Sequence, residues 1–133
     1  MYFLKGERLI MVRQQLLNGQ NPVRDSMKLL FDGPSTSLQA KGYYTALPRE
    51  LRLISYTIQE DTIILRLNNA FDAVSGGSSQ IRAAIAQLVY TATAQKGIKR
   101  VSLTVLGREG QPLVIGGEGI VIDKALTREQ VGL

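Results

Sequence analysis

Apolar and polar positions alternate in several short runs along this chain, and two intervening segments carry the 3.6-residue period instead. Tyr2–Leu4 and Leu9–Leu17 read as strands around a turn at Lys5-Gly6-Glu7. In the second run Leu9, Met11 and Arg13 share one face and Ile10, Val12 and Gln14 the other. Apolar residues on both faces predict a strand inside a sheet. Asn21-Pro22 reads as an N-cap followed by proline at the first helical position. Val23, Met27, Leu30 and Phe31 then recur at helical spacing, and the helix stops at FDGP, where Gly33 ends it and Pro34 blocks its continuation. Ser35–Tyr44 reads as a polar loop. Leu51–Leu67 alternates on both sides of Gln59-Glu60-Asp61-Thr62, which predicts an antiparallel hairpin with Ile63, Leu65 and Leu67 on its core face. Glu60 and Asp61 are adjacent carboxylates, but a tight turn makes them solvated turn residues.

The second periodic segment predicts a helix from Gln80 to Lys96, with Ile81, Ile85, Leu88, Val89 and Ala92 as its core stripe. No charged side chain occurs between Ala83 and Gln95, although surface helices usually carry charge outward. The other side of this helix shows Ala83, Gln87, Tyr90, Thr91 and Ala94, all small or uncharged. Before it, SGGSSQ has the glycines of a phosphate-binding loop but neither a Gly-Lys-Ser/Thr ending nor a spaced dinucleotide fingerprint. Ser78 or Ser79 as N-cap accounts for it. Gly97 ends the helix, and Arg100–Leu106 reads as a strand with Val101, Leu103 and Val105 inward. A further hairpin is expected through Gly107–Gln111 to Pro112–Ile115, then a GGEG turn, a short strand Ile120–Ile122, and a tail docking through Leu126 and Val131. No repeat or linker divides the chain. The expectation is one domain over residues 1–133: an α+β fold with two helices packed on a mixed, mostly antiparallel β-sheet.

Composition narrows the chemistry. The chain has no cysteine and no histidine, which removes disulfides, thiolate nucleophiles, Cys/His zinc sites and histidine-based triads. Its 16 Lys and Arg exceed its 11 Asp and Glu, for a net charge of +5. Both halves of the chain share that excess, whereas a nucleic-acid binder gathers its cations on one face. Nucleic acid is therefore not expected as a partner, and no cofactor or metal is expected. The opening MYFLKGERLI has no apolar signal region, and no apolar run approaches the ~20 residues of a membrane span. Met1 followed directly by strand residues reads as the edge of a longer chain.

The order of these pieces resembles the GerMN domain, the module of sporulation and spore germination proteins that also occurs in LpqB-type envelope lipoproteins. The residues carrying the resemblance are FDGP, GYYTALP (Gly42–Pro48), LRLNNAF (Leu65–Phe71), QIRAAIAQLVYTAT, GIKRVSLTVLG (Gly97–Gly107) and LTRE (Leu126–Glu129). Together they cover Tyr2 to Val131. The resemblance implies a fold like the ring-building α+β modules of sporulation channels. It also implies a non-catalytic role as an interaction or assembly unit of a cell-envelope lipoprotein, outside the cytoplasm, with protein partners that include further copies of itself. Membrane attachment would run through an anchor that this chain lacks.

On that reading the uncharged helix side, Ala83, Gln87, Tyr90, Thr91 and Ala94, is the candidate contact surface, because such side chains cost little to desolvate. The competing account is that the Ser35–Tyr44 loop or the tail covers it within the same chain. An enzyme of envelope substrates would draw on Asp72, Arg82 and Arg128. A small-ligand or peptidoglycan-binding module would stack sugars on Tyr43, Tyr44 and Tyr56.

Overall fold

The computed structural model describes residues 1–13, 21–74, 77–115, 120–122 and 124–131. In chain order the elements are β1 (Tyr2–Lys5), β2 (Arg8–Met11), α1 (Pro22–Asp32), α2 (Thr36–Ala40), β3 (Tyr43–Tyr44), β4 (Leu53–Gln59) and β5 (Thr62–Leu67). After a 3-10 turn at Asn69–Ala73 come α3 (Ser78–Thr93), β6 (Arg100–Val105), β7 (Leu113–Ile115) and β8 (Ile120–Ile122). The class is α+β, as the sequence implies. The strands divide between two three-stranded sheets, β2-β1-β3 and β4-β5-β6, and a β7-β8 ribbon.

The best-alternating strands lie side by side. β5 pairs parallel with β6, so that Ile63, Leu65 and Leu67 stand opposite Val101, Leu103 and Val105, and all six side chains are buried. β4 pairs antiparallel on the other side of β5, with a register shift between Leu53 and Ser55. The tail docks as expected: Leu126 forms an antiparallel bridge to Val101, and Val131 enters the core.

Helix α1 follows its signals. The Asn21 side chain caps it by accepting from the Arg24 N–H at 3.1 Å, and the same oxygen accepts from the Tyr56 hydroxyl at 3.0 Å. Gly33 closes it at φ 83°, where a β-carbon would be strained, and its N–H bonds Leu30 O. Asn21→Ala removes both bonds and should cost about 1–2 kcal/mol in urea denaturation, whereas Asn21→Asp keeps the acceptor and should cost less.

Four expectations are corrected. β2 lies at a sheet edge and β1 is the central strand, because Phe3 and Leu4 supply the buried side chains. The Ser35–Tyr44 stretch contains helix α2, started by the Ser35 hydroxyl accepting from Leu38 N–H at 3.3 Å. α3 begins at Ser78 behind Gly77, with no side-chain cap bond. β7 pairs with β8 and does not form a hairpin with β6. The expected extension of the second strand to Leu17, the loop 75–76 and the GGEG turn lie outside the described residues.

α3 is the centre of the fold. Its core stripe packs towards α1 and β6, and its other side meets β1 and β2. From Ala83 onward it is buried on nearly every side, which is why that stretch can do without charge.

Candidate functional site

Ala83, Gln87 and Thr91 follow at i, i+4 and i+8, one ridge along α3. The chain covers that ridge itself. Gln87 is fully buried, and Thr91 and Ala83 nearly so. The Gln87 side chain accepts from Ala46 N–H at 2.8 Å and donates to Thr45 Oγ1 at 3.0 Å and to the Tyr2 carbonyl at 3.2 Å. One turn on, Thr91 Oγ1 accepts from the Tyr2 N–H at 3.0 Å. Two side chains thus satisfy both backbone groups of Tyr2 and fasten the first sheet to the helix. These residues are an internal joint, which corrects the expectation of an outward contact surface there. The covering segments are β1 and Thr45–Leu47, with the tail at one end.

Tyr90 and Ala94 fare differently. Tyr90 is half-buried and meets Tyr2 edge-to-face, with ring centroids 5.3 Å apart. The Arg128 guanidinium lies 4.6 Å from the Tyr90 ring centre and 5.4 Å from that of Tyr2. It donates to Tyr90 O at 3.0 Å and to Thr93 Oγ1 at 2.7 Å. A cation is thereby placed against the carbonyl end of α3, where the helix dipole favours it. Ala94 is exposed at the helix end.

The candidate catalytic set does not converge. Arg128 is committed to Tyr90 and Thr93. Arg82 lies eight to eleven residues away on the same helix, roughly 12–16 Å at 1.5 Å per residue, and is exposed. Asp72 is paired with Arg108 on the surface. Among the described residues no group of three or more acidic, histidine or cysteine side chains could hold a metal ion, and no helix is long and apolar enough to cross a membrane. Glu109 is held below the ordinary glutamate value, first by its bond from Arg66 Nε at 2.8 Å and then by nearby backbone N–H groups.

The tyrosines do not form one platform either. Tyr43 sits beneath the Lys5 ammonium at 5.2 Å, the Tyr44 hydroxyl donates to Gly6 O at 2.7 Å, and Tyr56 belongs to the other sheet. Tyr44 does border a groove of about 690 Å³ between β1, the Thr45–Pro48 segment and the start of α3, with Glu7, Ser79 and Gln80 as polar lining.

Sequence reasoning overlooked the sheet edges. Met11, Tyr44, Ile54, Ile58, Leu106 and Val121 are the exposed large apolar side chains among the described residues, and all but Leu106 lie on strands at the margin of a sheet. The signal was available in Leu53–Gln59, a seven-residue strand without a charge.

A family model described as sporulation and spore germination, Germane, matches residues 1–112. The chain belongs to the Germane family. Solved GerMN domains share its fold. The tandem GerMN domains of the sporulation protein GerM from Bacillus subtilis superpose with a TM-score of 0.69 at 20% identity, over 95% of this chain and 42% of that one. The first GerMN domain of the same protein gives 0.64 at 18% identity, over 92% of this chain and 86% of that one. A candidate lipoprotein from Clostridium perfringens gives 0.66 at 23% identity, over 97% and 85%. This GerMN domain therefore spans less than half of the tandem chain. No curated protein matches it in sequence.

Proposed function

We propose that this GerMN domain is a non-catalytic interaction or assembly module of a cell-envelope protein, acting outside the cytoplasm. The observation that carries the reading is the placement of the exposed large apolar side chains of the described residues, Leu106 apart, on marginal strands, whose outer edges pair with no other described strand. Of the candidate catalytic residues, Asp72 is engaged in a surface pair and Arg128 at the end of α3, and Arg82 stands exposed away from both. Family membership and likeness to GerM and to a candidate lipoprotein support the envelope setting and extend it to sporulation or germination. The test uses the full-length gene product in its own organism, with a photo-crosslinking residue at Ile58 or at Tyr44. Crosslinks to envelope proteins, and cleavage by protease added outside the membrane, are expected. Cytosolic crosslinks with protease resistance would overturn the proposal.

The groove beside Tyr44 favours a second reading, a site for a small envelope ligand such as a peptidoglycan fragment. Its volume lies in the range of ligand pockets. Titrating a muropeptide into the labelled domain should then shift the amide signals of Thr45, Leu47 and Ser79 before any others.

A further inference from the structure

Strand β4 keeps a regular ladder from Ser55 to Gln59, past the register shift between Leu53 and Ser55. Gln59 and Thr62 close a two-residue turn at Glu60-Asp61, with Glu60 at φ 57°. A closing pair of that kind exchanges hydrogen bonds across the ladder, and bonded and non-bonded pairs alternate from there. Ser55, Thr57 and Gln59 therefore spend their backbone groups on β5. Tyr56 and Ile58 turn theirs outward, where no other described strand pairs with them. No charge or proline within the strand blunts that edge.

The side chains of the same two residues set the face that a partner would meet. Tyr56 and Ile58 stand opposite Leu65 and Ile63, which are buried, so they carry the core face of the sheet out to its margin. There they line a groove of about 350 Å³ with Pro22 at the start of α1 and with Lys96 and Ile98 past the end of α3. Cations gather around it. Lys96 is part of the lining, and the Arg24 guanidinium lies 6.0 Å from the centre of the Tyr56 ring. Lys99 is tied to the β4–β5 turn by its N–H bond to Asp61 O at 2.8 Å. All three side chains are exposed, and none belongs to an ion pair among the described residues. Of the two acids in that turn, Asp61 is already held by Arg100 at 3.1 Å, which leaves Glu60 against three cations.

We propose that the Tyr56–Ile58 edge takes an extended, acidic segment of a partner protein as an added strand. Residues of that segment opposite Tyr56 and Ile58 share their face, so carboxylates there meet Arg24 and Lys96. Backbone pairing fixes the register, and the cations select the sequence. This rests on the reading of the domain as an interaction module and gives its partner's chemistry. A short ladder with exposed charge pairs buries less than the ~1,200 Å² of standard interfaces and belongs to the weak, reversible class. A phosphate polymer would satisfy the cations, but it offers no strand to answer the outward N–H and C=O groups together.

The probe is a short capped peptide alternating glutamate with valine, titrated into the isotope-labelled chain. Amide signals of Tyr56, Ile58 and Lys96 should shift first, with a Kd below about 1 mM, the weak end of specific affinities. Arg24→Glu with Lys96→Glu should weaken binding about tenfold or more, since two attractions become repulsions. The circular dichroism melt should stay nearly unchanged, because both side chains are exposed. Methylating the peptide's backbone nitrogens should lower affinity by a similar factor, which charge alone would not. The proposal is overturned by a peptide that shifts nothing at about 1 mM, or by a lysine-for-glutamate peptide that binds as well. Sodium polyphosphate shifting the same amides, with peptide methylation changing nothing, would reduce the site to charge and overturn it too. So would slow exchange of the Tyr56 and Ile58 amides in the free chain, because the edge would already be covered. If the peptide fails while residue 58 of the full-length protein still crosslinks to envelope proteins, the acidic strand falls and the module reading stands.

Discussion

Replacing Gln87 by leucine is expected to destabilise the domain by about 2–4 kcal/mol, even though leucine is the more apolar side chain and the position is fully buried. Two effects compete. Leucine saves the cost of dehydrating an amide, worth about 1–3 kcal/mol on protein scales. It also orphans the Ala46 N–H and the Tyr2 carbonyl, which the amide now satisfies at 2.8 and 3.2 Å, and leaves Thr45 Oγ1 with only its bond from Leu47 N–H at 3.2 Å. Each buried group left unpaired costs about 1–3 kcal/mol, so two such losses and a weakened third outweigh one saving. Chemical denaturation measures the sum, and amide exchange locates it. Protection should fall first at Ala46 and across β1, because those segments lose their tie to α3. Thr91→Val tests the same joint from the next turn. It orphans only the Tyr2 N–H and should cost about 1–2 kcal/mol. The double variant should fall short of the sum, since both residues hold Tyr2. A Gln87→Leu domain as stable as the parent, with β1 protection intact, would mean that the amide network does not fasten the sheet.

The same joint shows how much of this fold the sequence made legible. Strands β4, β5 and β6 were readable because alternation on a half-buried strand leaves a period of two. α1 was readable because Asn21-Pro22 and Gly33-Pro34 act through local geometry alone. The absence of charge between Ala83 and Gln95 was also readable, and it announced burial. What it could not announce is the identity of the covering segment, since the contact between Gln87 and Tyr2 spans 85 residues, and no local period encodes a pairing at that distance. Helix α2 carries a legible cap in Ser35, but five residues are too few to develop a helical stripe. The β7–β8 pairing was missed because the Gly107–Gln111 turn reads as a hairpin returning β7 onto β6. For the site, Asp72, Arg82 and Arg128 were legible as polar residues near element ends, but their separation in space was not. The apolar positions were assigned to the wrong surface: uncharged helix side chains face inward here, while uncharged strand side chains at Ile54 and Ile58 face water.

Ala86 and Ala94 separate these two situations by a single kind of substitution. On the helical period both look outward, and glutamate at either would be expected to spare the fold. The structure makes them opposites. Ala86 is completely buried and belongs to the core, and Ala94 is exposed at the C-terminal cap of α3. Glutamate at position 86 must either take a carboxylate into close-packed apolar surroundings or push α3 away from its neighbours. Arg82 stands four residues earlier and is exposed, so it offers an ion pair to a carboxylate that escapes outward. Such a pair contributes about 0.3–0.5 kcal/mol, against several kcal/mol for burying the charge and displacing packed atoms. Ala86→Glu should therefore cost more than about 4 kcal/mol, a large part of the stability of a domain this size. Its thermal transition should be lost or sharply lowered. Ala94→Glu should stay within about 1 kcal/mol of the parent, the residual cost coming from an anion near the negative end of the helix dipole. Thermal melts by circular dichroism distinguish the two directly. An Ala86→Glu domain that melts cooperatively within a few degrees of the parent would place that face of α3 in solvent, and the internal joint at Gln87 would have to be abandoned with it.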